Sequence, residues 1–192
     1  SDGSRVGYDF LVVAPGLQID WGRIEGLPAA LGRDGVCSNY SFDTVESTWR
    51  ELQAFRGGDA VFTFPTPPIK CAGAPQKIMY LAEDHFRRQG IRGQSRVHYY
   101  CATPTIFSAP HYARALQEQV VGPRGIETHF RHELVAVRPA SREAVFRDYA
   151  NEREVIQPYQ LLHVAPPMRA PDVLRDSPLA NEAGYCEVDK ET

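Results

Sequence analysis

Asp59-Ala-Val-Phe-Thr-Phe-Pro-Thr-Pro-Pro-Ile-Lys-Cys-Ala-Gly-Ala-Pro-Gln-Lys-Ile-Met79 decides how the rest of the chain is read. Ala60 to Phe64 is a short, mostly apolar run with the pattern of a strand covered on both faces. Pro65, Pro67 and Pro68 then stiffen a loop, because each proline fixes φ and removes a backbone donor. Pro75 suits the first turn of a helix, where its missing N–H would have had no partner. Cys71 thus falls between the carboxyl end of a strand and the start of a helix, the place where open parallel sheets bind ligands. The helix start and the ammonium groups of Lys70 and Lys77 favour the thiolate, the nucleophilic form of cysteine. The alternative is a free cysteine that packs as a small apolar residue.

Working outward, helix and strand signals alternate. Asp43-Thr-Val-Glu46 has the spacing of a capping box and opens a helix to about Phe55, with Val45, Trp49 and Leu52 as its apolar face. The helix from Pro75 to about Gln89 is expected to bury Ile78, Ala82 and either Phe86 or Leu81, and Gly90 stops it. In the next strand Val97, Tyr99 and Cys101 share one face while His98 and Tyr100 share the other. A helix over Pro110 to Val121 ends at Gly122-Pro123, and short strands follow at Ile126 to Phe130, Leu134 to Val137, Ala144 to Phe146 and Val155-Ile156. This order predicts an α/β fold: a Rossmann-like three-layer domain with a parallel sheet, helices and an antiparallel β-meander.

The ends read differently. Residues 1 to 16 predict a hairpin whose strand, Phe10 to Ala14, is apolar enough to be covered on both faces. Residues 17 to 40 are glycine-rich with few periodic apolar positions, a linker containing Cys37. Tyr8-Asp-Phe-Leu-Val-Val-Ala-Pro15 echoes Tyr159-Gln-Leu-Leu-His-Val-Ala-Pro166, so both look like closing strands of equivalent domains. The expected division is a central domain at residues 41–166, inserted into an interrupted domain to which residues 1–40 and 167–192 belong. On that reading Glu187 to Thr192 stops in mid-element and the chain is a fragment.

Composition narrows the function classes. The 192 residues are 43% hydrophobic and 23% charged with a formal charge of −3, ordinary for a globular protein and without the basic excess of a nucleic-acid binder. The longest apolar run, Phe10 to Pro15, is far below the roughly 20 residues that a membrane-crossing helix needs. Cys37, Cys71, Cys101 and Cys186 form no C-x-x-C pair, which speaks against a zinc ribbon or a disulfide scaffold. His129-Phe-Arg-His132 has ligand-like spacing but no nearby second pair, so no metal site is expected there. Asn39-Tyr-Ser41 matches a glycosylation sequon, read as chance.

These features together resemble the two-dinucleotide-fold flavoproteins, and within them the sulfide:quinone oxidoreductase family. Tyr8 to Gly16 is similar to the strand that passes the flavin, although the wider superfamily commonly has Thr where Pro15 stands. Phe64-Pro-Thr-Pro-Pro-Ile-Lys-Cys-Ala-Gly-Ala-Pro-Gln-Lys-Ile-Met-Tyr-Leu81 resembles the catalytic-cysteine segment of the family's mitochondrial-like branch. Leu161-Leu-His-Val-Ala-Pro-Pro-Met168, with Pro171-Asp-Val-Leu and Ser177-Pro, resembles the return into the flavin domain. The likeness implies a whole protein that oxidises sulfide through a cysteine persulfide and passes electrons via FAD to a membrane quinone. Cys71 matches one redox cysteine, while the other belongs to a Gly-Asp-Cys segment beyond Thr192. The likeness also sets Ala14, Pro15 and Gly16 near FAD and leaves Cys37 between sulfur relay and a loop thiol without a role. Cys186 reads as structural. It further implies a peripheral protein of a respiratory membrane, bacterial inner or mitochondrial inner.

The residues bear on cofactors directly. A nicotinamide site needs G-x-G-x-x-G after its first strand, because the pyrophosphate requires close backbone approach. Phe64 to Cys71 occupies that place with prolines, so NADH is not expected to bind. No such motif occurs between Ser1 and Thr192 for the FAD pyrophosphate either, so the isolated chain is expected to hold FAD weakly and to be inactive alone. Two other readings stand beside this one: a type II NADH:quinone oxidoreductase-like flavoprotein, and an interaction domain without catalysis. Unpartnered apolar residues near the Phe10 strand are expected to drive self-association.

Overall fold

The computed structural model describes residues 2–189 and Glu191. Contacts divide the chain into two units, Ile19–Met168 and a smaller one made of residues up to Gln18 together with those from Arg169. In chain order the strands are β1 (Gln18–Ile19), β2 (Val36–Cys37), β3 (Gly58–Phe64), β4 (Ser95–Cys101), β5 (Ile126–Phe130), β6 (His132–Arg138), β7 (Glu143–Asp148), β8 (Arg153–Pro158), β9 (Leu161–His163) and β10 (Met168–Arg169). The helices are α1 (Leu27–Ala30), α2 (Val45–Ala54), α3 (Ala74–Arg88), α4 (Pro110–Ala115, continued by a π turn over Leu116–Val121) and α5 (Asp172–Arg175).

Within the larger unit, five parallel strands stand in the order β2-β9-β3-β4-β5. An antiparallel meander, β6-β7-β8, covers one face. Strand alternation sorts the core into two layers. Phe62, Phe64, Val97, Tyr99 and Cys101 meet Leu52 of α2 and Ile78, Met79, Ala82 and Phe86 of α3. On the other face Val61, Tyr100 and Leu162 meet Leu134, Val137, Ala144 and Phe146 of the meander. The predicted three-layer α/β fold is the one observed. Cys101 lies in the core as expected, and Phe86 rather than Leu81 completes the buried stripe of α3.

Three expectations are overturned. Residues 17–40 are not a linker: Val36 and Cys37 pair with Leu162 and His163 as an edge strand of the sheet. A two-residue strand carries no periodic signal, and what fixes it is Gly35. At φ +84 a Cβ there would stand 2.3 Å from the Gln160 carbonyl oxygen, so only glycine lets the two backbones meet. The compact unit accordingly begins at Ile19 rather than at residue 41.

Phe10 to Ala14 forms no strand; Phe10 is 94% and Val12 88% exposed, because none of the described residues supplies a ladder partner. The third concerns α2, which turns Ser47, Thr48 and Leu52 inward and leaves Trp49 54% exposed, with no side-chain cap at its start. The small Ser47 and Thr48 side chains let the helix sit close over Cys37, and Trp49 instead meets His85 of α3 edge-on at 5.3 Å. Of the terminal residues expected to stop in mid-element, Lys190 and Thr192 lie outside the described residues.

Candidate functional site

The parallel sheet gives the larger unit a rim at the carboxyl ends of its strands. The chain leaves β3 toward β4 on one side while β9 pairs on the other, which makes the β3/β9 junction the topological switch point. Side chains tie the rim together. Thr63 Oγ1 accepts from the Ala165 N–H at 3.1 Å, and the Ser38 hydroxyl donates to the Val164 carbonyl at 2.7 Å. His163 Nε2 lies 2.9 Å from Asn39 Oδ1, and the ring donates because an amide oxygen only accepts. Burial pushes His163 down to about 3, so the ring there is neutral at physiological pH.

The proline loop leaves β3 at this junction. Pro65 is buried, and the Thr66 N–H donates to Glu133 Oε1 of β6 at 3.0 Å. Glu133, itself buried, also accepts from the Tyr149 hydroxyl. Farther along, the Lys70 N–H points at Met168 Sδ at 3.3 Å, and Ile69 packs on the helix-side core. At Cys71 the backbone doubles back: its N–H donates to the Ile69 carbonyl at 3.1 Å and its carbonyl accepts from Ala74, the first residue of α3, at 2.9 Å. The residue has φ +89, a conformation that side chains other than glycine's rarely adopt. Such outliers persist only where the surroundings over-determine them. The thiol is exposed.

Tyr40, which follows β2, belongs to the same rim. Burial, and after it the charge of the Cys71 sulfur, holds the Tyr40 phenol above its usual range, which places the ring within electrostatic reach of the thiol. Its buried hydroxyl has no hydrogen-bond partner among the described residues. Sequence reasoning does not find Tyr40, because the two-residue strand that delivers it has no periodic signal.

The other cysteines are not brought to Cys71 by any bond; all four are free thiols. Cys37 is not a solvated loop thiol. It is fully buried under α2, and burial pushes its thiol up to about 12. Cys101 is buried 2.9 Å from Thr103 Oγ1. Cys186, in the smaller unit, is half-buried in an isolated bridge with Ala180. Ala14, Pro15 and Gly16 are exposed, and nothing lies within 4 Å of where a Cβ on Gly16 would stand. A flavin cradle needs converging backbone donors, and these three residues do not form one by themselves.

His129 and His132 do not converge either. The His132 Nδ1–H donates to the Phe130 carbonyl at 2.7 Å, while His129 turns to His98. Burial first, then the neighbouring His98 and His132, lowers His129 to about 4. No helix among the described residues is long and apolar enough to cross a membrane.

Comparison with known proteins bears on the fold and on the relatives of the chain. No protein-family model matches the chain. Over 99% of its length it is 49% identical to the mitochondrial sulfide:quinone oxidoreductase of Mus musculus, and over 100% it is 40% identical to that of Dictyostelium discoideum. That of Schizosaccharomyces pombe is 37% identical over 99% of the chain. The chain spans 42% of the length of each of these relatives. Among solved structures, the sulfide:quinone oxidoreductase of Aquifex aeolicus superposes with a TM-score of 0.77 at 20% identity, covering 94% of this chain and 42% of that one. The thioredoxin reductase of T. acidophilum superposes at 0.56 and 14% identity, covering 91% of this chain and 50% of that one. At these identities the superpositions speak to the fold alone.

Proposed function

We infer that this chain, homologous to a segment of the sulfide:quinone oxidoreductases, supplies one redox cysteine, Cys71, to a flavin-dependent enzyme that oxidises sulfide and reduces a quinone. The observation that carries this reading is the exposed Cys71 sulfur, held at positive φ on the carboxyl rim of a parallel sheet. The proline loop stands where a nucleotide-binding domain would have its glycine cradle. It offers no close backbone approach for a pyrophosphate, but it fixes a sulfur at the same place.

In the whole protein Cys71 is bridged to a second cysteine from another segment. Hydrosulfide attacks a sulfur of that bridge; one S–S bond forms as another breaks, leaving a persulfide on one cysteine and a thiolate on the other. The outer persulfide sulfur passes to a nucleophilic acceptor and the cysteine that carried it leaves as thiolate; FAD, when bound, would take the two electrons released as the two thiolates rejoin into the bridge, and a quinone would take them from it. The flavin site belongs to other segments, with Ala14, Pro15 and Gly16 nearby. The chain alone is inactive, and the whole protein sits peripherally on a respiratory membrane; the names of the relatives support a mitochondrial location for it.

The test is sulfide-dependent quinone reduction by the whole protein carrying Cys71→Ser, with flavin content measured alongside to separate a misfolded variant from an inactive one. Activity is expected to disappear with flavin retained. An undiminished rate rejects the assignment, and flavin reduction by NADH in the intact protein would favour the NADH:quinone reading instead.

A further inference from the structure

A second cluster lies away from the rim, on the meander-facing side of the sheet, and it has nothing to do with Cys71. Strand alternation and parallel register build it. Asp59 pairs with Arg96, His98 with Glu127 and Tyr100 with His129, so residues 59, 96, 98, 100, 127 and 129 all project from one face. β5 is the last strand of the sheet, which leaves the Glu127 side chain 56% exposed while His98 beside it is buried.

Each ring is fixed. Arg96 grips Asp59 through two hydrogen bonds, Nε to Oδ1 at 2.8 Å and a terminal nitrogen to Oδ2 at 2.7 Å. His98 Nε2 lies 2.9 Å from Asp59 Oδ1; a carboxylate there accepts, so the proton is on Nε2 and Nδ1 keeps its lone pair. Tyr100 stacks on His129 with centroids 4.1 Å apart, and on its other side against Phe146 at 3.8 Å, its hydroxyl donating to Gln157 Oε1 at 2.9 Å. With both rings held, His98 Nδ1 and His129 Nε2 stand 3.3 Å apart, and a Glu127 oxygen is 3.5 Å from His98 Nδ1. Three donor atoms, one from each residue, lie within 4.8 Å of one another.

The 3.3 and 3.5 Å separations match edges of a coordination tetrahedron. Two nitrogens each about 2.0–2.1 Å from one zinc ion at the tetrahedral angle stand about 3.3–3.4 Å apart, and a nitrogen and a carboxylate oxygen almost the same. The exposed Glu127 side chain has the freedom to close the third edge. The Asp59–His98 contact is the carboxylate–histidine pairing that orients metal-binding imidazoles. His132 is not one of the converging residues; its Nε2 faces Asp148 Oδ2 at 3.8 Å instead.

We propose that His98 Nδ1, His129 Nε2 and the Glu127 carboxylate bind one divalent cation of the zinc class, with Asp59 as a positioning residue and the fourth position open to water at the β5 edge. Two histidines and a carboxylate are a donor set that suits zinc far better than calcium or magnesium, which prefer oxygen cages. A bound ion would pin the edge strand β5 to β4 from the side that solvent reaches.

The test titrates the chelator-stripped protein with Zn²⁺ against a chromophoric competitor at neutral pH, and repeats it with Co²⁺ to read coordination from the visible spectrum. One equivalent per chain is expected, with the cobalt bands of a four-coordinate nitrogen–oxygen complex and no thiolate charge-transfer band. His129→Asn and Glu127→Gln, both at positions open enough to keep the fold by circular dichroism, lose the stoichiometric equivalent. Asp59→Asn weakens binding by about 10–100-fold. Cys71→Ser leaves the binding curve in place. An unaltered curve in His129→Asn, no equivalent taken up at micromolar zinc, or a thiolate spectrum with cobalt each overturns the proposal and leaves the 3.3 Å contact as a hydrogen bond between neutral rings.

Discussion

The placement of the cysteines is tested most sharply by their rates of alkylation. Iodoacetamide reacts with thiolate, and a free cysteine with its ordinary pKa of about 8.5 is about one quarter thiolate at pH 8. Cys37, pushed by burial up to about 12, is about 10⁻⁴ thiolate at that pH. Its reaction in the folded protein is therefore slowed about 2,000-fold before access is counted, and access is blocked by α2. The other route runs through global unfolding of the unit. Even at the low end of domain stability, about 5 kcal/mol, the open fraction is only about 10⁻⁴. By either route Cys37 is expected to label at least about 10³-fold more slowly than Cys71. Cys101 is protected by the same burial, and Cys186 falls between. A timed pulse at pH 8, quenched and resolved by peptide mass spectrometry, gives all four rates from one sample. Labelling of Cys37 within tenfold of Cys71 would remove β2 from the sheet, and protection of Cys71 would remove the exposed sulfur on which the proposed function rests.

Further outcomes follow from the same structure. Glu83 of α3 is buried and accepts from Arg87 Nε at 2.5 Å and Arg92 Nε at 2.9 Å, so Glu83→Ala takes the carboxylate from both guanidinium groups, although Arg92 keeps the carbonyls of Ser95, Arg124 and Gly125. Because Arg87 is half exposed, the loss should fall at or below the roughly 3–5 kcal/mol typical of a broken buried pair, read from urea melts; a change under about 0.5 kcal/mol would count against it. His163 and His129 are lowered to about 3 and about 4, so between pH 6.5 and those values the unfolded chain binds protons that the folded one does not. Stability is then intact above about pH 6.5 and declines as pH falls, at up to about 1.4 kcal/mol per pH unit for each ring. His163→Asn should flatten that slope in melts at pH 7, 6 and 5, and an unchanged slope would contradict the buried neutral ring. Phe10→Glu and Val12→Lys should lower any concentration-dependent association seen by sedimentation, since both side chains stand in solvent; association that persists in the double variant assigns it to another surface.

How much of this was legible in the sequence depended on the length of each element. Seven-residue strands such as β3 and β4 show their alternation outright, so the faces of Val97, Tyr99 and Cys101 against His98 and Tyr100 were readable. So was the stripe of α3, at fifteen residues. β2 has two residues and no period to show, and with it went Tyr40, Cys37 and the start of the compact unit. On α2 the apolar pattern named Val45 and Trp49, but closeness of approach selected Ser47 and Thr48 instead, a preference for small side chains that hydropathy does not register. Phe10 to Ala14 failed for a different reason. Its residues do have the composition of a buried strand, but a strand is a property of a pair, and this one finds no partner among the described residues.

Pairing also explains why the histidine cluster was invisible while the cysteine was not. The features that single out Cys71 are contiguous: a strand, three prolines and a helix start within about twenty residues, each changing the local backbone for a reason that can be stated from the sequence. His98, Glu127 and His129 come from two strands separated by a helix, and Asp59 from a third. His129-Phe-Arg-His132 drew attention because its spacing is local, yet the chain turns between those residues, and Arg131 at φ +61 marks the turn into β6. Once β4 and β5 are set in parallel register, residue 98 must lie beside 127 and residue 100 beside 129, with no freedom left to choose. A donor set on two strands, with its positioning carboxylate on a third, is therefore specified by the same backbone hydrogen bonds that specify the sheet. A substitution that shifted the β4/β5 register by one residue would send His98 and His129 to opposite faces and abolish the cluster, without altering any of its side chains.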